Sequence, residues 1–292
     1  MKVEVPLRFY APTFSRAIGN ALLHTDWSRP YFMPMTQMIR RLSPLALLAL
    51  LALADAATAA PCSGNPDALG TERVMTVTAA ATPRVGRKHF PTTLPLARKE
   101  VVLTFDDGPW PGTTERVLDA LKHECVRASF FLLGRNAADH PALVRREIAE
   151  GHTVAHHSYS HPLLAHLSFA NAEAEIDRGI AAVEAALGRS GKNPATPFFR
   201  FPGFASSPAL LDRLQQRGIV VFGADLWASD WNPMTPGQEL SLVMGRLKAA
   251  GGGIVLFHDT KSQTAAMLPA FLKELKRQGF RVVHTVPPAT TN

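Results

Sequence analysis

The chain has 292 residues, of which 46% are hydrophobic, and these values exclude a disordered or fibrous protein. One large α/β domain with a short appendage fits this length. The formal net charge of +7 favours an anionic partner, such as nucleic acid, a membrane surface or an acidic cell-wall polymer. Basic residues such as Lys273, Lys276 and Arg277 are scattered over predicted helices, without a basic cluster interleaved with aromatics. We therefore interpret them as solvent-exposed and do not expect nucleic-acid binding.

A signal peptide is predicted at residues 35–60. Two arginines precede the apolar run Leu45–Ala54, and small residues suited to signal-peptidase cleavage follow it. The apolar run is too short for a comfortable membrane span, and Pro61 stands directly before Cys62, which argues against lipoprotein processing. We therefore expect an exported protein, periplasmic or secreted, with no stable membrane span after the signal is cleaved.

The segments on either side of this signal carry little pattern. Residues 1–34 show no clear periodicity, and either Met35 or Met38 is a better start for a signal peptide. Our hypothesis is that residues 1–34 are a mis-called extension, and the alternative is a genuine extension before an internal anchor. Residues 61–98 are rich in Pro, Thr, Ala and Gly, which predicts a linker or an irregular lead-in.

The chain contains two cysteines, Cys62 and Cys125. They form neither a CxxC pair nor any other zinc-type spacing, so the cysteines are not predicted to bind a metal ion. In an oxidising compartment the two residues are a candidate disulfide. The alternative is one thiol in the tail and one buried thiol.

A regular alternation of strands and helices begins at residue 100 and carries appropriate helix signals. Ser207-Pro208, for example, opens a helix that Gly218 closes. Seven apolar strands alternating with six helices predict a parallel α/β sheet, either open or closed into a (β/α) barrel. The predicted strands are Glu100–Phe105, Ala128–Leu133, His152–Ala155, Pro197–Phe201, Ile219–Gly223, Gly253–Phe257 and Arg281–Thr285, and the predicted helices lie near 114–123, 141–150, 171–187, 208–217, 236–250 and 266–278.

Reactive side chains follow several of these strands. Ligands of parallel α/β sheets bind at the carboxyl ends of the strands, so we expect these residues to converge on one face. They are Asp106 and Asp107 after the first strand, His157 and His161 after the third, Arg200 near the end of the fourth, Asp225 and Asp230 after the fifth, and His258 and Asp259 after the sixth.

Asp106 and Asp107 stand between an apolar strand and the sharp turn at Gly108-Pro109. Adjacent carboxylates at a strand end point to different sides, so one can bind a metal while the other faces a substrate water. Their mutual repulsion requires a nearby cation if both are to be ionised. In isolation, this motif is more often a turn with a solvated second aspartate.

His157 and His161 are four residues apart, a separation that one turn brings onto a common face. Pro162 disfavours helical geometry at His161, so we expect a loop or a single turn. Two histidines alone are as often surface or core residues as ligands. Together with Asp107 they form a zinc set that leaves coordination positions open, as in a catalytic site.

His258 follows a strand directly and is a candidate general acid, if a carboxylate holds its tautomer and raises its pKa. Asp230 is a candidate for that carboxylate. Trp231 and Phe201 are candidate apolar walls against a sugar face or an acetyl methyl group. Each of these residues, taken singly, is more often part of a core or loop.

Five motifs in order resemble those of the polysaccharide deacetylases, the NodB-homology or family-four carbohydrate esterases. The resemblance covers residues 99–285, and we interpret residues 99–288 as the catalytic domain. The motifs are Thr104-Phe105-Asp106-Asp107-Gly108-Pro109, His157-Ser158-Tyr159-Ser160-His161-Pro162, Arg200-Phe201-Pro202-Gly203, Asp230-Trp231 and Leu256-Phe257-His258.

The resemblance implies a distorted (β/α) barrel of about seven parallel strands that holds Zn²⁺, or another divalent cation such as Co²⁺. It implies metal-dependent hydrolysis of N-acetyl groups in a glycan such as peptidoglycan, a chitin oligomer or poly-N-acetylglucosamine. The implied metal ligands are Asp107, His157 and His161. The implied catalytic residues are Asp106 as general base, His258 as general acid, Arg200 orienting the base and Asp230 supporting the acid, with Gly203, Phe201 and Trp231 contacting the substrate.

Two departures from the family pattern concern the third and fourth motifs. The third usually carries Pro-Pro-Tyr, and this chain has Phe201-Pro202-Gly203, which keeps a backbone donor and loses an aromatic contact. In the fourth, Asp225 lies farther from Asp230 than is common, so we assign it no role. The alternative functions are another barrel metallohydrolase acting on C–N amide bonds and a non-catalytic glycan-binding module, although loss of Asp106 or His258 would be expected in the latter.

Overall fold

The computed structural model describes residues 62–190 and 194–289, so the predicted signal peptide and N-terminal extension lie outside the described residues. The strands are β1 Arg73–Thr76, β2 Arg84–Val85, β3 Glu100–Asp106, β4 Ser129–Leu132, β5 Thr153–His156, β6 Phe198–Phe199, β7 Val220–Phe222, β8 Leu226–Trp227, β9 Gly253–His258 and β10 Arg281–Val286. The helices are α1 Thr114–His123, α2 Gly134–Asp139, α3 Pro141–Ala149, α4 Phe169–Ala186, α5 Pro208–Gln216, α6 Pro236–Ala250 and α7 Ser262–Arg277.

Every strand pair in the sheet is parallel, and the pairing follows a ring. β9, β3, β4, β5, β6 and β7 are consecutive neighbours. The ring closes through the stretch 220–227, because β7 pairs with β6 while β8, at the end of the same stretch, pairs with β9. β10 joins the start of β3 and carries β1 on its other side. The predicted distorted barrel is therefore confirmed.

The ring strands β3, β4, β5, β6, β7 and β9 are buried on both faces, which explains their nearly continuous apolar sequences. Side chains alternate between the two sides of the sheet, so Val102 packs with Phe131 in one apolar cluster. Leu103 and Phe105 belong to a second cluster, together with residues of the surrounding helices. Phe105 stacks on Phe130 with ring centroids 5.1 Å apart.

All seven predicted strands are present, with ends shifted by one or two residues at most positions. Three short strands, β1, β2 and β8, and the six-residue helix α2 were not predicted. They are too short to show a hydrophobic period, and α2 begins with a glycine, which reads as a turn. The segment predicted to be an irregular lead-in therefore contributes β1 and β2 to the sheet.

Two further contacts attach this segment to the barrel. Cys62 and Cys125 form a disulfide, with their Cα atoms 5.7 Å apart. The carboxylate of Asp225 accepts hydrogen bonds from the backbone N–H of Arg87 and the hydroxyl of Thr93, each 2.8 Å long. Asp225 thus fastens the lead-in to the barrel. None of the helices in the described part of the chain is long and apolar enough to span a membrane.

Candidate active site

Arg200 is fully buried inside the barrel and pairs with Asp106 at the end of β3. Its Nη1 donates to Asp106 Oδ1 at 2.6 Å and to Thr104 Oγ1 at 2.9 Å. Its Nε donates to the carbonyl of Phe222 and its Nη2 to the carbonyl of Gly223, both at the end of β7. A buried guanidinium with this many fixed partners holds Asp106 in one orientation.

Because Arg200 binds Oδ1, the other oxygen of Asp106 is left facing the neighbouring site, where Oδ2 lies 3.9 Å from His157 Nε2. Burial raises the pKa of Asp106, and the Arg200 guanidinium opposes that rise. A carboxylate whose pKa is shifted upward in this way is a better proton acceptor than a solvated one.

Asp107, His157 and His161 form a group whose potential ligand atoms all lie within 4.8 Å of one another. Asp107 Oδ1 is 3.5 Å from the Nε2 atoms of both histidines. This buried oxygen has no hydrogen-bond partner among the described residues. An orphaned carboxylate oxygen facing two imidazole nitrogens fits a divalent cation, and the donor set of one carboxylate and two imidazoles fits zinc.

The ring of His157 is oriented for metal binding. Its Nδ1 lies 2.8 Å from the carbonyl of Arg200, so Nδ1 carries the proton and Nε2 presents its lone pair to Asp107. Burial lowers the pKa of His157 to about 3, despite the opposing charge of Asp107. The imidazole is therefore neutral near pH 7, which is the form that coordinates metals.

The two histidines approach each other through a loop, with ring centroids 5.2 Å apart. His161 has a φ of 69°, and its N–H donates to Ser158 Oγ at 3.2 Å. The N-terminal residues of α2 hold this loop, since Gly134 N donates to the carbonyl of Ser158. Gly179 of α4 packs against the same residue, and a Cβ there would lie 2.4 Å from its carbonyl carbon. The two glycines thus permit a close approach that fixes the loop.

His258 and Asp230 form a second buried pair at the end of β9. Asp230 Oδ1 lies 2.7 Å from His258 Nδ1, and Oδ2 accepts the backbone N–H of His258 at 2.6 Å. Burial lowers the pKa of His258, but the hydrogen bond and charge of Asp230 outweigh it and raise the pKa to about 9. His258 is therefore protonated near pH 7, with Nε2 pointing toward Asp107 Oδ2 at 3.9 Å.

Thr264 and Glu239 lie next to the His258–Asp230 pair, and neither residue was predicted from the sequence. The hydroxyl of Thr264 lies 2.9 Å from Asp230 Oδ2 and 2.9 Å from Glu239 Oε1. It can donate to only one of them, so the second contact is a hydrogen bond only when Glu239 is protonated. Burial raises the pKa of Glu239 to about 7, so Glu239 changes protonation close to neutral pH.

Comparison with known proteins agrees with this geometry. A family model described as polysaccharide deacetylase matches residues 94–222. A chitooligosaccharide deacetylase of Rhizobium leguminosarum is 36% identical over 197 residues, which cover 62% of this chain and 88% of the relative. This chain belongs to the polysaccharide deacetylase family.

Two other members of the polysaccharide deacetylase family extend the comparison. A peptidoglycan N-acetylglucosamine deacetylase of Listeria monocytogenes is 32% identical over 225 residues, 75% of this chain and 46% of the relative. The solved structure of a Bdellovibrio bacteriovorus peptidoglycan deacetylase has a TM-score of 0.66 at 32% identity, covering 75% of this chain and 59% of that chain. The chain thus spans about half the length of some relatives and most of the length of others.

The pocket that contains Asp107, His157 and His258 has a volume of about 350 Å³, and aromatic rings form part of its walls. Trp227 and Trp231 pack edge to face, with ring centroids 5.8 Å apart, and Trp231 lies against His258. Phe201, one of the predicted walls, is only 2% exposed and packs edge to face on Phe199. Eight of the ten predicted site residues line the pocket, and Arg200 and Asp230 lie behind it.

The third motif keeps an aromatic wall in spite of its departure from Pro-Pro-Tyr. Gly203 lines the pocket with a φ of 55°, and the next residue, Phe204, supplies the ring. Phe204 stacks on His89 with centroids 3.6 Å apart, and Trp227 continues the stack. Neither Phe204 nor Trp227 was predicted from the sequence. Trp227 was missed because it lies on the two-residue strand β8, which is too short to show a period. The lead-in segment thus supports one wall of the site.

Proposed function

We propose that this protein removes N-acetyl groups from amino sugars in a glycan by metal-dependent hydrolysis and releases acetate. The observation that carries the proposal is the orphaned oxygen of Asp107, which faces His157 and His161 within an aromatic-walled pocket. The relatives named above support it, since one is described as a peptidoglycan N-acetylglucosamine deacetylase and the other as a chitooligosaccharide deacetylase. A non-catalytic glycan-binding module would have no need for the two ion pairs, Asp106 with Arg200 and His258 with Asp230.

Asp107, His157 and His161 would hold the cation, and zinc suits their donor atoms. A bound cation supplies Lewis acidity, which acidifies water and polarises the acetyl carbonyl. Asp106 Oδ2 takes the proton of the attacking water while Arg200 keeps the carboxylate in place. As the C–N bond breaks, His258 Nε2 donates its proton to the leaving amine. The N–H of Gly203 is the proposed backbone donor for the oxyanion, and Trp231 contacts the sugar.

The chemistry is tested by acetate release from peptidoglycan, chitin oligomers and poly-N-acetylglucosamine, with and without a chelator. His161→Ala is expected to lose stoichiometric zinc and acetate release together, because one of three protein ligands is removed. His166→Ala is the matched control, since His166 lies exposed in the following turn. Full zinc occupancy in His161→Ala, measured by elemental analysis, would exclude His161 as a ligand. Equal activity with and without chelator would reject metal dependence.

We further propose that the protein acts outside the cytoplasm, in the periplasm or as a secreted enzyme. The Cys62–Cys125 disulfide supports this, because disulfides persist in oxidising compartments. Mass spectrometry of the native protein is expected to find a mature chain that begins near residues 59–61 with both cysteines cross-linked. A cytoplasmic protein that retains residues 35–60 and two free thiols would contradict export.

A further inference from the structure

Lys261 lies beside the proposed general acid, at the pocket that the substrate would enter. Its backbone N–H donates to the carbonyl of His258 at 3.2 Å, so a tight turn after β9 places the two residues side by side. The side chain is half-buried and lines the same pocket as Trp227 and Trp231. Within residues 62–190 and 194–289, no carboxylate lies within ion-pair distance of its ammonium group.

The acidic residues of the site are already paired with other groups. Asp106 forms an ion pair with Arg200 at 2.6 Å, and Asp230 forms one with His258 at 2.7 Å. Asp107 faces the nitrogens of the two histidines, where the cation is proposed to bind. The positive charge of Lys261 is therefore not needed to neutralise the catalytic carboxylates. It is available to a group that enters from solvent.

A second ammonium group lies over the ring of Trp227, which is one of the residues that line the pocket. Lys88 Nζ is 5.4 Å from the ring centroid of Trp227, and it too lacks an ion-pair partner in the described part of the chain. Lys88 belongs to the lead-in segment, outside the residues that match the family model. A neutral N-acetylated sugar chain offers neither lysine a counterion. An acidic glycan offers a counterion to both lysines. It would also be attracted by the net charge of +7.

We propose that Lys261 selects glycans that carry a carboxylate next to the acetylated sugar. The inference rests on the proposed deacetylase function and narrows its substrate class. An ammonium group at a partly buried position forms a charge-assisted hydrogen bond with a carboxylate and has no such partner on a neutral chitin oligomer. In a peptidoglycan strand, the carboxylate comes either from a lactyl ether on the neighbouring sugar or from an attached peptide.

The experiment compares three glycan fragments of equal length. One carries free lactyl carboxylates, the second is its methyl ester, and the third is a neutral chitin oligomer. Wild type is expected to favour the acid over its ester by about tenfold in kcat/KM, the size of one hydrogen bond to a charged group. Lys261→Met should reduce the ratio of the two kcat/KM values, acid over ester, to about one, whereas Lys261→Arg should keep the preference.

Lys273→Met is the matched control, because Lys273 lies exposed on α7, the helix that begins directly after Lys261, and outside this pocket. An equal kcat/KM for acid and ester in wild type, with acetate released from both, overturns the role of Lys261 and leaves the deacetylase function intact. Acetate release from none of the fragments rejects the function itself. In that case, Kd values for the acid and the ester, measured by calorimetry, still show whether Lys261 discriminates between them.

A fourth fragment, with its peptides attached, distinguishes the source of the carboxylate. If the lactyl group is recognised, this fragment should behave like the ester, because its lactyl carboxylate is consumed in an amide bond. If a peptide carboxylate is recognised, the fragment should be preferred over its amidated form, and Lys261→Met should abolish that preference. A preference that survives Lys261→Met in every pair of fragments also overturns the proposal.

Discussion

Asp106→Asn is expected to lower kcat by about 10²–10⁴, the usual contribution of a general base, while the bound metal stays near the wild-type amount. Asparagine keeps the size of the side chain and cannot accept a proton. The proposed base oxygen, Oδ2, faces the site, whereas Oδ1 is held by Arg200. Initial rates of acetate release and elemental analysis of the same preparation measure the two quantities.

Asp107→Asn is the matched comparison, since it makes the same chemical change one residue along the chain. Its amide would face the two imidazole nitrogens that Asp107 Oδ1 now faces at 3.5 Å, so metal affinity should fall. Excess zinc should then restore part of the activity by mass action. If excess zinc restored activity to Asp106→Asn and not to Asp107→Asn, the roles assigned to the two aspartates would be exchanged.

The convergence of Asp106, Asp107, His157 and His258 could be predicted from the sequence because each follows an apolar strand. In a parallel sheet all such residues reach the same edge, whatever the details of the barrel. The Asp230–His258 pairing was likewise predictable, since Asp230 follows a strand of the same sheet and a carboxylate both fixes the tautomer of a histidine and raises its pKa. These inferences depend on strand order and residue chemistry, which the sequence shows directly.

The pocket walls and supports were less predictable, for physical reasons. Trp227 reaches the site because the stretch 220–227 changes strand partners, and a pairing change has no sequence period. Phe204 and His89 meet through a contact between distant segments. Gly179 is an exception, since a glycine inside the predicted helix 171–187 could have signalled a close backbone approach. The disulfide was one of two open readings, because cysteine pairing depends on tertiary geometry.

Arg200→Met is expected to lower the free energy of unfolding by about 3–5 kcal/mol, the cost of leaving one partner of a buried ion pair uncompensated. Asp106 would remain buried without its guanidinium partner, and the carbonyls of Phe222 and Gly223 would lose their donors. Urea denaturation in the presence of a chelator measures this loss without a contribution from bound metal. Turnover should also fall, because Asp106 is no longer held in one orientation.

The double variant Asp106→Asn/Arg200→Met separates the ion pair from simple packing. Asparagine carries no charge, so the double variant should be more stable than Arg200→Met alone, with a coupling energy above about 1 kcal/mol. The loss in Arg200→Met should also depend on pH. Without the guanidinium the folded-state pKa of Asp106 rises further above its unfolded value, so the variant is penalised more as pH rises and less as Asp106 binds a proton. The same loss at about pH 5 and at about pH 8, together with additive effects in the double variant, would assign Arg200 to packing alone.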